Sequence, residues 1–309
     1  EDISPKYIEK GNGCFLEDVD GNKYIDFGGA LGPIVLGYNH PNTNNAVIEQ
    51  LSNGIIFSLL NPLEVQLAEM LSKELPIAEM VRFGKSGSDA TSIAVRVARA
   101  HTKRDKIICI GYHGWQDWYI ATTDRNKGIP KVVTDLTLTC NYNNLNDLDK
   151  IFKLNKDQVA CVILETIYTD EPQSGYLEGL KEICKKNKTL LIFDEIKMGF
   201  RIAMGGGMEY YNADSDLATF GKSMANGMPI SVLAGKEEFM RNLDKEVFYS
   251  FTFAGETLSL AASISTINYM KKNNVIDHLW TVGNHLKDGF KNLVKKYNLE
   301  KYYKIVGPG

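Results

Sequence analysis

The feature that most constrains this chain is an alternation between residues 80 and 234 of short apolar runs and longer helical stretches. Met80-Val-Arg-Phe83, Lys106-Ile-Ile-Cys-Ile110, Val159-Ala-Cys-Val-Ile-Leu164, Leu190-Leu-Ile-Phe193, Leu217-Ala-Thr-Phe220 and Ile230-Ser-Val-Leu-Ala234 each span four to six residues and carry at most one charge. Runs this short and this apolar read as strands buried on both faces. Between them, residues 90–100 (Ile93, Val95, Val97, Ala98) and 177–187 read as helices. Buried strands alternating with helices imply an α/β fold with a largely parallel sheet covered on both sides.

The chain ends differ from this middle. Residues 7–27 read as a hairpin or meander, with an Asp20-Gly21 turn between two alternating runs. Helices are expected from His40-Pro41 to about Leu51, from Pro62 to before Pro76, from Leu258 to Met270 and from Val275 to Tyr297. The expected division is 1–45 as the N-terminal part of a small domain, 46–258 as a large domain, and 259–309 as the start of a C-terminal small domain. Val306-Gly-Pro-Gly309 reads as the approach to a further strand, so the chain is expected to continue.

Composition enters by exclusion. A net charge of −3 gives no basis for nucleic acid or a charged membrane surface as partner. No apolar stretch approaches the roughly 20 residues of a spanning helix. Cys14, Cys109, Cys140, Cys161 and Cys184 are scattered without metal-like spacing, which suits reduced thiols in a cytoplasmic protein and gives no metal site.

Four short segments carry candidate chemistry, each following a strand. Phe83-Gly-Lys-Ser-Gly87-Ser88-Asp89-Ala90 opens a helix; small residues and free amides there suit a phosphate, while Ser88 or Asp89 serves equally as a helix N-cap. The segment is neither GxxxxGK[ST] nor GxGxxG. Gly111-Tyr112-His113-Gly114 places an aromatic where α/β sheets bind ligands; packed aromatic and structural histidine are the plainer readings. Asp194-Glu195-Ile196 puts carboxylates at the end of an apolar strand, where a cap or turn is the alternative. Lys222, in Gly221-Lys-Ser-Met-Ala-Asn-Gly, is flanked by small residues; most lysines are simply solvated. A lysine and a buried carboxylate together are what pyridoxal phosphate (PLP) chemistry needs: an amine for the aldehyde and an anion for the ring nitrogen.

Taken jointly, Ser86-Gly-Ser-Asp-Ala90, Tyr112-His-Gly114, Leu191-Ile-Phe-Asp-Glu-Ile-Lys-Met-Gly-Phe200 and Gly221-Lys-Ser-Met-Ala-Asn-Gly-Met-Pro-Ile230 resemble the class III (subgroup II) PLP-dependent aminotransferases, over nearly the full chain. Gly199-Phe-Arg201 and Arg99-Ala-His-Thr-Lys-Arg-Asp-Lys-Ile are most similar to the glutamate-1-semialdehyde 2,1-aminomutase branch. The resemblance implies a fold-type-I transferase: a mainly parallel seven-stranded sheet covered by helices, with a smaller α+β domain formed from the chain ends. It implies Lys222 bonded to the cofactor and Asp194 on the pyridine nitrogen. It places Tyr112 and Ile196 against the ring, Gly87 and Ser88 on the phosphate, and Glu165 and His113 in support. It implies that Thr252 reaches the phosphate of a neighbouring subunit, hence a homodimer with shared active sites. The implied substrates are a small amine or amino acid and a carbonyl compound.

The sequence also departs from that pattern. Lys85 stands where Asn is common, Asp89 replaces Glu, Thr-Ile follows Glu165, and Lys197-Met198 replaces a polar-Thr pair. These changes leave room for a transaminase acting on another aldehyde or ketone, such as a surface-polysaccharide precursor. A nucleotide-binding oxidoreductase built on residues 84–88 would leave Asp194 and Lys222 unexplained, and a non-catalytic binding protein would have no need to keep them.

Overall fold

The computed structural model describes residues 5–308. Ten strands form two sheets. The first is an antiparallel meander of β1 (Ile8–Asn12), β2 (Phe15–Asp18) and β3 (Lys23–Ile25). The second holds β4 (Met80–Gly84), β5 (Lys106–Ile110), β6 (Thr137–Thr139), β7 (Val159–Glu165), β8 (Leu190–Asp194), β9 (Leu217–Phe220) and β10 (Ser231–Gly235), in the order β4-β10-β9-β8-β7-β5-β6. The five strands from β9 to β6 run parallel, and β10 is antiparallel to both neighbours. The longer helices are α1 (Pro41–Leu51), α2 (Pro62–Glu74), α3 (Gly87–Thr102), α4 (Leu145–Leu154), α5 (Tyr176–Lys186), α6 (Thr257–Lys272) and α7 (Val275–Lys296).

The strands β5, β7, β8, β9 and β10 are buried on both faces, and their side chains divide by parity. Ile107, Cys109, Cys161, Ile163 and Ile192 pack with Ile93, Val97 and Ala98 of α3. Ile108, Ile110, Val162, Leu164 and Phe193 face the other way, toward Leu67 and Leu71 of α2, Leu148 of α4 and Leu180 of α5. A period of two in a strand explains why the apolar runs are continuous rather than alternating.

Several expectations are corrected. β6 escaped the reading because Thr-Leu-Thr is only three residues at the sheet edge. α4 also escaped it, although Leu148 and Phe152 are buried at helical spacing. α3 begins at Gly87 rather than Ala90. Its N-cap is Ser86, whose hydroxyl accepts from the Asp89 amide while the Asp89 carboxylate accepts from the Ser86 amide. That reciprocal box removes capping from Ser88. The expected approach to a further strand at Val306-Gly-Pro-Gly309 is not tested, since the described residues end at Pro308.

Candidate active site

The carboxyl ends of β7 and β8 lie side by side, and the pairing sets Glu165 directly beside Asp194. Two adjacent buried carboxylates repel unless each has its own partner. Asp194 is held from three sides. Its Oδ2 accepts from His113 Nδ1 at 2.8 Å; its Oδ1 accepts from the Thr219 hydroxyl at 3.1 Å and the Ile196 amide at 3.2 Å. A carboxylate that only accepts makes Nδ1 the protonated ring nitrogen. His113 is itself buried, stacks on Trp118 and keeps Nε2 without a partner among the described residues. Glu165 instead meets the Lys197 ammonium at 3.0 Å.

Lys222 follows β9 and opens a short 3₁₀ turn, Lys222–Ala225, with its own backbone at φ +40°. A lysine in the left-handed region is uncommon and marks a position where geometry outweighs local preference. Lys222 has neither an ion pair nor a hydrogen bond from its side chain among the described residues. Burial lowers its pKa, and the nearby Lys197 ammonium pushes the same way. Both effects favour the neutral amine, the form that attacks carbonyls and accepts protons.

Glycines let these parts approach. A Cβ on Gly87 would come within 3.2 Å of Ile196, and one on Gly114 (φ +109°) within 2.2 Å of Ser88 Oγ. The turn after β5 can therefore close on the start of α3, where Ser88 Oγ accepts from the Trp115 amide at 3.1 Å. Gly87, Ser88, Tyr112, His113, Glu165, Asp194, Ile196 and Lys222 all line one cavity of about 430 Å³. Thr252 does not join them. It lies in a separate cavity of about 540 Å³ with Phe57, Leu59, Leu60 and Tyr249.

Sequence reasoning missed two ion pairs at the first cavity. Lys197–Glu165 depends on strand register, and Lys85–Glu256, at 2.8 Å, joins residues 171 positions apart. The only signal for either was that Lys85 and Lys197 stand out from the family pattern. The cavity lining also includes the apolar Leu31, Pro33 and Met228. Leu31 belongs to a turn in which Ala30 and Leu31 both take positive φ, tied down by Arg201 and the Ser223 hydroxyl, which both donate to the Gly32 carbonyl. Among the described residues there is no cluster of three or more metal-ligating side chains, and no helix long and apolar enough to cross a membrane.

Comparison with known proteins bears on this geometry. The family model described as "Aminotransferase class-III" matches residues 2–308. A glutamate-1-semialdehyde 2,1-aminomutase of Lachnoclostridium phytofermentans is 37% identical, the alignment covering 99% of this chain and 76% of that protein. A 3-aminobutyryl-CoA aminotransferase of Cloacimonas acidaminovorans is 41% identical over 88% of this chain and 67% of its own length. Among solved structures, the FumI protein of Sphingopyxis sp. MTA144, in its PLP internal aldimine form, superposes with a TM-score of 0.94 at 28% identity, covering 100% of this chain and 75% of that one.

Proposed function

Because the chain belongs to the class-III aminotransferases, which use pyridoxal phosphate, we propose that the Lys222 cavity is an amino-transfer site in which Lys222 holds the cofactor aldehyde. The observation that carries this reading is the pairing of roles within one cavity: an unpartnered, half-buried lysine and a buried, triply held carboxylate. The residues present fit the group. Gly87 and Ser88, at the start of the 16-residue α3, would hold the phosphate with free amides and a hydroxyl. Tyr112 and Ile196 would bracket the ring, and Asp194 would face its nitrogen.

When bound, PLP supplies an aldehyde for amines and an electron-withdrawing ring. The remaining work belongs to the side chains. Asp194, its oxygens fixed by His113 and Thr219, would hold a protonated ring nitrogen. Lys222 Nζ, where free as the neutral amine, would accept a proton from the substrate carbon that bears nitrogen and donate the same proton back to an adjacent carbon. Lowered basicity suits it to both steps.

We further propose an aminomutase of the glutamate-1-semialdehyde type, on the 36–37% identity to such enzymes over nearly all of this chain. The aminotransferase relative at 41% identity supports a second reading, a transaminase with separate donor and acceptor. Turnover of glutamate 1-semialdehyde without an added donor separates the two. A homodimer is proposed from the exposed Phe57, Leu59, Leu60 and Phe253 around Thr252, a setting in which the threonine would serve a partner's site. A cytoplasmic location, with no membrane or nucleic-acid partner, completes the reading. The proposed domains keep the boundaries 1–45, 46–258 and 259–309, with α6 packed on α1 and α2.

The purified protein should take up PLP, turn yellow and, after borohydride, carry the cofactor on a Lys222 peptide by mass spectrometry. Lys222→Ala should lose the covalent adduct. An adduct at another lysine, or no PLP uptake by the wild type, would sink the assignment.

A further inference from the structure

The head of α3, assigned above to the cofactor phosphate, already carries negative charge. The Asp89 carboxylate accepts from the Ser86 amide at 2.7 Å and from the Lys85 amide at 3.2 Å, which takes two donors from that corner. The Glu256 carboxylate is also held there, against the Lys85 ammonium at 2.8 Å. A doubly charged phosphate brought to Gly87 and Ser88 therefore meets two carboxylates, which the amides of one helix start do not cancel. Three lysines line the cavity. Lys197 is taken by Glu165, and Lys222 is assigned to the aldehyde. Lys85 remains. It stands two residues before Gly87, so the two Cα atoms are within about 7 Å.

The members of the Lys85–Glu256 pair differ in what they can give up. Glu256 is the N-cap of the 16-residue α6 and accepts from the Leu258 and Ser259 amides and, at 2.6 Å, from the Ser259 hydroxyl. It stays satisfied when the ammonium turns away. The Lys85 ammonium has three donors, and among the described residues its one hydrogen bond is to Glu256. Its side chain is 16% exposed, so water screens its charge little.

We propose that Lys85 binds an oxygen of the cofactor phosphate and supplies the positive charge that the amides of α3 lack. The inference rests on the amino-transfer reading and adds to it a residue that the family pattern does not carry, since Lys85 stands where Asn is common. Before the cofactor arrives, Glu256 holds the ammonium in reserve. With the phosphate in place, the flexible lysine stem lets the ammonium serve both anions or pass to the more highly charged one.

The test compares uptake of PLP with uptake of pyridoxal, which has the same ring and aldehyde but no phosphate. Apoprotein is titrated with each, and binding is read from visible absorbance without turnover. Wild type should prefer PLP. Lys85→Asn should cut that preference about tenfold, the scale of one charge-assisted hydrogen bond, and leave pyridoxal uptake unchanged. Lys85→Arg should retain most of it. Glu256→Gln, which keeps an oxygen for the α6 amides but drops the competing charge, should raise it. In phosphorus NMR the bound phosphate should stay doubly charged to a lower pH in wild type than in Lys85→Asn. A preference unchanged in Lys85→Asn, or an equal fall for both ligands, overturns the inference, while PLP trapping on Lys222 leaves the cofactor reading intact. Failure of the wild type to take up PLP overturns both.

Discussion

The cavities at Lys222 and at Thr252 are similar in size and different in construction. The Lys222 cavity sits on strand ends, and its charged groups are partly buried and, Lys222 apart, each matched: Asp194 with His113, Glu165 with Lys197, Lys85 with Glu256. The Thr252 cavity joins two loops to α2 and the edge strand β4 and exposes Phe57, Leu59 and Leu60, with Leu59 at 84% and Leu60 at 82%. Strand ends in a packed sheet hold polar groups where backbone geometry dictates, which is what chemistry requires. Exposed leucines around a shallow hollow are what a protein–protein contact requires. The first surface is proposed to bind the cofactor, and the second to meet another copy of the chain.

The contrast can be broken from either side. The largest effect is expected at Asp194. Asp194→Asn keeps the shape but removes the charge on the ring nitrogen, so kcat should fall about 100-fold or more while PLP still binds. Near-normal kcat would strip the first cavity of its assigned role. Next comes Leu60→Asp. It should raise the dimer dissociation constant about tenfold or more in sedimentation equilibrium, with a normal circular dichroism spectrum. An unchanged oligomeric state would make the exposed leucines incidental.

Gly114→Ala sharpens the comparison through packing. Its Cβ has no room beside Ser88 Oγ, and the backbone is left-handed, so a loss of about 2 kcal/mol and a lower melting temperature are expected. An unaltered melt would show that the turn after β5 gives way easily.

The smallest effect concerns Glu195. Burial pushes its carboxyl from 4.5 up to about 7, against the pull of the Gly207 and Met208 amides, each donating at 2.8 Å. A raised carboxyl contributes stability that is fully present below pH 4.5 and lost as pH rises through about 7. Glu195→Gln lacks that loss. Its stability relative to wild type should improve between pH 5 and 7.5 in urea unfolding, and a constant gap would contradict the buried protonated form.

What was legible in the sequence followed from local rules. Continuous apolar runs marked six of the seven strands of the large sheet, and residues after those runs marked the cavity, because strand ends in such sheets face the ligand. The fold-type-I expectation is met by the mainly parallel sheet and by the superposition on PLP transaminases. What was not legible depends on distant pairing. His113 and Asp194 lie 81 positions apart, and their contact exists only because β5, β7 and β8 are neighbours in that order. Lys197 stood out in the sequence only as a departure from the family pattern, and its pairing with Glu165 came from the fold. The turn between Gly29 and Gly32 also puts the non-glycine Ala30 and Leu31 in the left-handed region, which no turn rule flags.

The turn that carries Lys222 also ends in a clamp. Asn226 accepts from the Leu36 amide at 2.8 Å and donates to the Gly37 carbonyl at 3.0 Å, and Tyr38 in turn bridges to Gly13 beside β1. The segment that follows the meander is thus tied to the turn that carries Lys222 by Asn226 and by Ser223, whose hydroxyl donates to the Gly32 carbonyl. Loosening of residues 32–38 is expected to relax the Lys222 backbone with it, and faster exchange of the Leu36 and Gly13 amides would report that event.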